Sequence, residues 1–239
     1  MHFYYGYAWD KGDYYSVNQD SFSLQTVLTG RGPAALAVVC DGVGGLSRGE
    51  YASGYVAKQI TAWFYEKALP RLCSHKSMKS LKRSFQRELE DIHEFLKEKT
   101  EAEGIQMGTT MTVFLVFRKK YCIFHVGDSR CYALGKKRQL LTADQVGKRK
   151  ELLYAVGVGK QPVIYFKQGR CRRRQRFLLC SDGFAHCLSE QVFLILQKCE
   201  RKKVVGFETQ MNKILEDIIE RGRQKGERDN CTAILLECY

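Results

Sequence analysis

The stretch from Ala34 to Ser53, AALAVVCDGVGGLSRGEYAS, constrains the fold more than any other part of the chain. Its Val-rich run is long enough for one buried strand and stops at Cys40. Asp41 follows at once, then Gly42, Val43, Gly44 and Gly45, a turn with almost no side-chain bulk, and a helical pattern begins after Arg48. A carboxylate placed where a strand stops, beside bare backbone, can aim its side chain and a neighbouring C=O at one point. Glycine permits that approach because it lacks a Cβ. Hard cations such as Mg²⁺ and Mn²⁺ take such all-oxygen surroundings. A plain strand–turn–helix connection with a capping Asp has the same sequence pattern, so this stretch alone leaves both readings open.

The rest of the chain narrows the choice. Its 239 residues fit one large domain or two small ones and can bury a sizeable core. No run approaches the ~18 apolar residues of a membrane span, and MHFYYGYAWD lacks the charged and apolar regions of a secretory signal. The ten Cys residues include no C-x-x-C pair, and Cys40, Cys122, Cys180 and Cys231 fall inside apolar runs, as small core residues do. A reducing, cytoplasmic setting is expected rather than a disulfide scaffold. The formal net charge of +13 favours anionic partners without choosing among them. Nucleic acid is disfavoured, because the Arg-rich segment Arg170 to Arg176 has no interleaved aromatics and no recognised nucleic-acid motif is present; a P-loop is excluded, because DGVGG is not followed by GK[ST].

Taken in order, strands are expected over Phe3 to Trp9, over SFSLQTVL, and over the run before Asp41. Glu50 to Leu69 and Met78 to Thr100 carry apolar residues at helical spacing, two long helices covering one side of a sheet. Strands follow at Thr109 to Phe117, Tyr121 to Val126, Arg130 to Leu134, Val163 to Phe166 and Phe177 to Cys180. RCRRRQR, between the last two, reads either as a basic segment that docks acidic or phosphorylated protein or as a solvated hairpin. Helices over Phe193 to Cys199 and Phe207 to Arg223 precede a final strand, CTAILLECY. Two stacked antiparallel sheets with helices on both outer faces use every amphipathic face, an α+β fold.

The acidic residues fall in a pattern. Asp41, Asp128 and Asp182 close the apolar runs AALAVVC, YCIFHVG and RFLLCS, while Asp20 opens SFSLQTVL and Asp229 opens CTAILLE. In antiparallel sheets the end of one strand lies beside the start of its neighbour. The five can therefore meet on one rim, where they repel one another unless cations neutralise them. Without His or thiolate partners at metal spacing, such a cluster suits Mg²⁺ or Mn²⁺ rather than Zn²⁺. Each Asp taken singly also fits a turn former.

These residues carry a family resemblance. In order, NQDS at Asn18, DGVGG at Asp41 followed by GEYAS, MGTTMT at Met107, HVGDSR at His125, LTAD at Leu141, LLCSDGF at Leu178 and DNCTAILL at Asp229 span nearly the whole chain. The set resembles the metal-dependent Ser/Thr protein phosphatases, the PPM family of 2C type, in a compact bacterial form. The resemblance implies a single catalytic domain over residues 1–239, built as a four-layer α/β/β/α sandwich of two central antiparallel sheets flanked by pairs of helices. It also implies a binuclear Mn²⁺ or Mg²⁺ centre that hydrolyses phosphoserine and phosphothreonine on proteins, by attack of a water or hydroxide bridging the two ions. Asp41 would bridge the ions, the Gly42 carbonyl would bind one, and Asp182 and Asp229 would complete the other. Asp20 would hold metal-bound water, and Asp128 with Asp182 would serve a third, weaker ion. Phosphorylated proteins, and a Ser/Thr kinase whose action is reversed, are the implied partners. Neither spacing nor composition indicates an oligomeric state.

The chain departs from that pattern in two places. Where the family carries a phosphate-gripping Arg, five residues before the first Asp, this chain has Tyr15, with Lys11 or Arg48 as candidate substitutes. Between LTAD and Ala155, where relatives carry a helical flap, only about residues 145–154 intervene, so an open site is expected. His125 is expected to be a strand residue and His186 a surface one. Retention of every metal-binding Asp favours an enzyme. Tyr15 and the short flap favour the alternative, a weakly active or non-catalytic phosphoprotein-binding module that keeps the fold.

Overall fold

The computed structural model describes residues 2–44, 46–135, 137–149, 151–198 and 207–239. Gly45 of the glycine turn, Lys136, Lys150 and Cys199 at the end of an expected helix lie outside the described residues.

Two five-stranded antiparallel sheets form the centre. One has strands β2 (Ser21–Thr29), β3 (Gly32–Cys40), β4 (Met111–Phe117), β5 (Lys120–Val126) and β8 (Tyr165–Arg170), in that spatial order. The other has β1 (Phe3–Asp10), β10 (Cys231–Cys238), β9 (Gln175–Cys180), β6 (Arg130–Leu134) and β7 (Gln139–Leu140). Side chains alternate between the two faces of a strand, and β3 shows the consequence. Ala35, Ala37 and Val39 pack between the sheets with Phe114, Phe177, Leu179 and Ile234. Ala34, Leu36, Val38 and Cys40 face the helices instead, among Val56, Ile60, Phe85 and Leu89. Both faces being covered, the strand reads as an unbroken apolar run.

Helices α1 (Gly49–Trp63) and α3 (Leu81–Glu103) supply that outer layer. Tyr55 stacks on Phe95, and Trp63 meets Phe85 edge-on, so the two run antiparallel. The first helix does not stop at Trp63. A π-helical turn over Phe64–Ala68 joins it to α2 (Leu69–Cys73), and the Leu69 N–H bonds back to the Phe64 carbonyl. Pro70 has no N–H to offer the ordinary ladder, so the register shifts just before it. Gly104, at φ 64°, ends α3 in the left-handed conformation suited to glycine.

On the other face lie α4 (Asp182–His186), α5 (Glu190–Lys198) and α6 (Phe207–Gln224). Leu196, Met211, Leu215 and Ile218 pack there on Ala8, Leu178, Ala233 and Leu235. A Cβ on Gly6 would collide with the Met211 side chain, so α6 sits directly on β1 at that position.

Two sequence expectations need correcting. RCRRRQR is not a hairpin, because β8 pairs with β5 and β9 pairs with β10 and β6. The segment carries the chain from one sheet to the other. The expected strand at Val163 to Phe166 begins two residues later, at Tyr165, and runs on to Arg170 through polar residues of an edge strand. The short helix α4, one turn after Ser181, carries too few residues to show a period.

Candidate metal centre

Strand register brings the five aspartates to one rim. Ser21 pairs with Cys40, so Asp20 and Asp41, one residue beyond each, leave their sheet side by side. In the other sheet Cys180 pairs with both Ala233 and Arg130. Asp182 lies two residues past Cys180, Asp229 two residues before β10, and Asp128 two residues before β6.

Their electrostatics show the proximity. Low-dielectric surroundings raise Asp41 well above the usual carboxylate range, and the charges of Asp20, Asp182 and Asp128 and a hydrogen bond with Asp182 raise it further. Asp20 is 1% exposed, and burial pushes it up to about 7, with Asp182 and Asp229 adding to the rise. The Ser181 and Thr232 hydroxyls partly oppose that shift. Neither buried Asp20 oxygen has a hydrogen bond of ordinary geometry, however, so both stay available. Asp128 is pushed up to about 6, by burial first and then by Asp182 and Asp144. Asp229 rises through burial and then Asp182. Asp182 thus acts on each of the other four.

The backbone around these groups is tightly tied. The Asp41 carbonyl accepts from the Thr110 N–H and the Thr109 hydroxyl, both at 2.8 Å, and Thr110 Oγ1 accepts from the Asp41 N–H at 3.0 Å. Thr110 Oγ1 also bonds Ser129 Oγ at 2.8 Å, linking Asp41 to the Asp128 segment. The Gly42 N–H donates to the Gln19 carbonyl at 3.1 Å. A Cβ on Gly42 would come within 2.7 Å of both that oxygen and the Gly49 backbone, so only glycine fits.

Several residues here carried no sequence signal of their role. Asn230 accepts the Gln19 N–H at 2.8 Å and donates to the Lys11 carbonyl, joining the two ends of the chain. Glu227 accepts the Asp229 N–H at 2.9 Å and pairs with His186 at 3.1 Å. Such long-range polar ties have no periodicity to betray them.

The other candidates are placed as follows. Tyr15 has its phenol raised by burial and then by Asp229, Tyr14, Asp41 and Asp182, and a Cβ on Gly44 would strike its hydroxyl, so it stands against the glycine turn facing the acids. Lys11 donates to the Tyr15 carbonyl at 2.9 Å. Arg48 pairs with Glu103 at 3.7 Å, in α3. Asp144 holds Arg130 through both its oxygens. His125 is buried in β5, bonded to Thr112 at 2.9 Å, and burial lowers it to about 4, the neutral strand residue expected. His186 has a side chain 62% exposed, as expected of a surface residue.

The donor set is oxygen-only, the carboxylates bear on one another, and Asp20 keeps two buried oxygens without ordinary partners, all of which suits hard divalent cations. Among the described residues, no three His, Cys, Asp or Glu side chains stand ready-gathered to hold one ion.

Comparison with known proteins places this arrangement. The protein phosphatase 2C family matches residues 14–226, and the chain belongs to that family, the metal-dependent protein-serine/threonine phosphatases. A serine/threonine phosphatase of Staphylococcus aureus, Stp1, shares the fold with a TM-score of 0.81 at 21% identity, over 100% of this chain and 96% of that one. The catalytic domain of the serine threonine protein phosphatase PstP, crystallised with two manganese ions, gives 0.73 at 22% identity, over 98% and 97%. A Mycoplasma genitalium protein with a provisional protein-phosphatase name is 20% identical over 98% of this chain and 95% of its own length. Among the described residues no helix is long and apolar enough to cross a membrane.

Proposed function

We propose that this chain hydrolyses phosphoserine and phosphothreonine esters on proteins with two Mn²⁺ or Mg²⁺ ions held by Asp41, the Gly42 carbonyl, Asp182 and Asp229. Asp128 with Asp182 would serve a third, weaker ion, and Asp20 would orient water from behind. When bound, the ions would polarise a phosphoryl oxygen and activate water for one in-line displacement. The observation that carries this reading is the coupling of five carboxylates at one rim. Without cations the cluster would repel a phosphate dianion, so a phosphatase built on it needs them.

The chain's own groups then have defined tasks. Asp41 and Gly42, fixed by Thr109, Thr110 and Gln19, set the position of the nucleophile relative to the substrate. Tyr15, its acidity suppressed by burial and then by the surrounding carboxylates, stays a neutral phenol and can donate one hydrogen bond to the phosphate. It lacks the charged two-point grip of an Arg. The whole chain would act as one catalytic domain. A flap reduced to residues 145–154, pinned where Gln145 bonds Gly127, would leave the groove open. Phosphoproteins in the cytoplasm, and a Ser/Thr kinase whose targets they are, would be its partners.

Tyr15 in place of a cationic grip favours a second reading, a phosphoprotein-binding module of little activity. Hydrolysis of p-nitrophenyl phosphate separates the two. The enzyme reading predicts activity with Mn²⁺, none with chelator, and a loss of at least about 10²-fold in Asp182→Asn. Equal, metal-independent rates for wild type and variant would leave only the second reading.

A further inference from the structure

A cavity of about 550 Å³ opens at the end of the β2–β8 sheet opposite the aspartate rim. It lies between the β2–β3 turn, the loop after α2, the β4–β5 turn and the end of β8. Register fixes the separation. Gly32, Phe117, Lys120 and Arg170 share this end, and Cys40, Met111 and Val126 share the other. At ~3.3 Å per residue the two ends stand about 25 Å apart, too far for one bound phosphate to touch both.

The lining is one-sided in charge. Arg31, Lys76, Arg118, Lys119, Lys120 and Arg170 border the cavity, and no Asp or Glu does. Among the described residues none of the six makes an ion pair, although nine ion pairs occur elsewhere. Arg31 is already oriented, donating to the Cys73 carbonyl at 2.9 Å. Beneath the cations the floor is apolar, made by Pro33, Leu72, Met78 and Phe117.

The backbone is also unusual here. Of three described non-glycine residues with positive φ, two border this cavity, His75 at 67° and Arg118 at 56°. Arg118 occupies the first position of the two-residue turn between β4 and β5, where a positive φ favours Gly or Asn. Non-glycine residues in that region cost about 1 kcal/mol or more and cluster at ligand clamps. Placing Arg there stations a cation over the cavity at the expense of the better turn former.

We propose that this cavity binds an organic polyphosphate, a nucleoside diphosphate being the type. The cationic rim takes the phosphates, and the apolar floor takes the organic part. Its volume lies within the roughly 300–1,000 Å³ of small-ligand sites, and the site does not depend on the metal centre.

Calorimetric titration of the full chain with ADP, in chelator and at near-physiological salt, tests the proposal with the metal centre silent. Saturable one-to-one binding is expected, with inorganic pyrophosphate several-fold weaker because it lacks the organic part. The double variant Lys76→Glu, Lys119→Glu, both exposed loop or turn positions, should weaken ADP at least tenfold and leave Mn²⁺-dependent p-nitrophenyl phosphate hydrolysis unchanged. If that variant fails to fold, Arg170→Glu at the sheet edge should give a loss in the same direction. No saturable ADP binding, equal affinity for pyrophosphate, or indifference to these variants overturns the proposal. A phosphothreonine peptide that binds the metal-free chain more tightly than ADP, and loses that binding in the variants, overturns it in favour of a protein docking site.

Discussion

Asp20 concentrates the electrostatic tension of the rim in one side chain. Its folded value of about 7 stands above the ~3.9 of an unfolded Asp. Between those values the native state holds a proton that the unfolded chain has lost, so native stability falls as pH rises from about 4 to 7. Metal-free protein should therefore melt several degrees lower at pH 7.5 than at pH 5.5. Saturating Mn²⁺ should narrow the gap, and Asp20→Asn should flatten the slope. A melting temperature that climbs across that interval in chelator would contradict the burial argument. Tyr15 supplies the second test at this scale. It faces Asp229, Asp41 and Asp182 from beside Gly44, so an Arg there would bring positive charge to the mouth of the site. Tyr15→Arg should lower KM for phosphopeptide severalfold with kcat little altered, and steady-state kinetics with KM unchanged or raised would count against a phosphate contact at that position.

Among the elements, α6 depends on a single glycine for its seat on β1. A side chain at Gly6 meets Met211 head-on, and α6 forms much of the helical layer on this sheet. Gly6→Val should cost about 1–3 kcal/mol by overpacking, roughly 3–10 °C in melting temperature for a chain of this size. The metal-dependent rate at 25 °C should persist, and a variant as stable as wild type would show that α6 is not packed this tightly. At this scale the sequence was most readable where period and burial agree. Strand β3, buried on both faces, reads as an apolar run, and α3 shows its amphipathic stripe over six turns. The run of α1 beyond Pro70 was hidden, because a proline signals an ending and the π-helical turn that absorbs it has no sequence mark. The Arg170–Arg176 crossover looked like a hairpin because strand spacing is local, whereas membership of a sheet is decided by distant partners. Each aspartate was visible as a strand-end residue, but the roles of Asn230 and Glu227 depend on neighbours far away in sequence or on the turn before Asp229.

The whole molecule separates its charges. An acidic rim closes one end of the β2–β8 sheet, while Arg and Lys side chains without an ion pair among the described residues collect at the other, in a chain of net charge +13. The two ends are linked by β3, β4 and β5, strands buried on both faces. For the acidic end the account makes one demand above all: carboxylates from two sheets must close around hard cations. Anomalous scattering from a crystal grown in excess Mn²⁺ measures this directly. The account predicts two manganese peaks between Asp41, Asp182 and Asp229, with one ligand oxygen from the Gly42 carbonyl. Well-ordered density with those carboxylates turned apart and no manganese at the rim would contradict it.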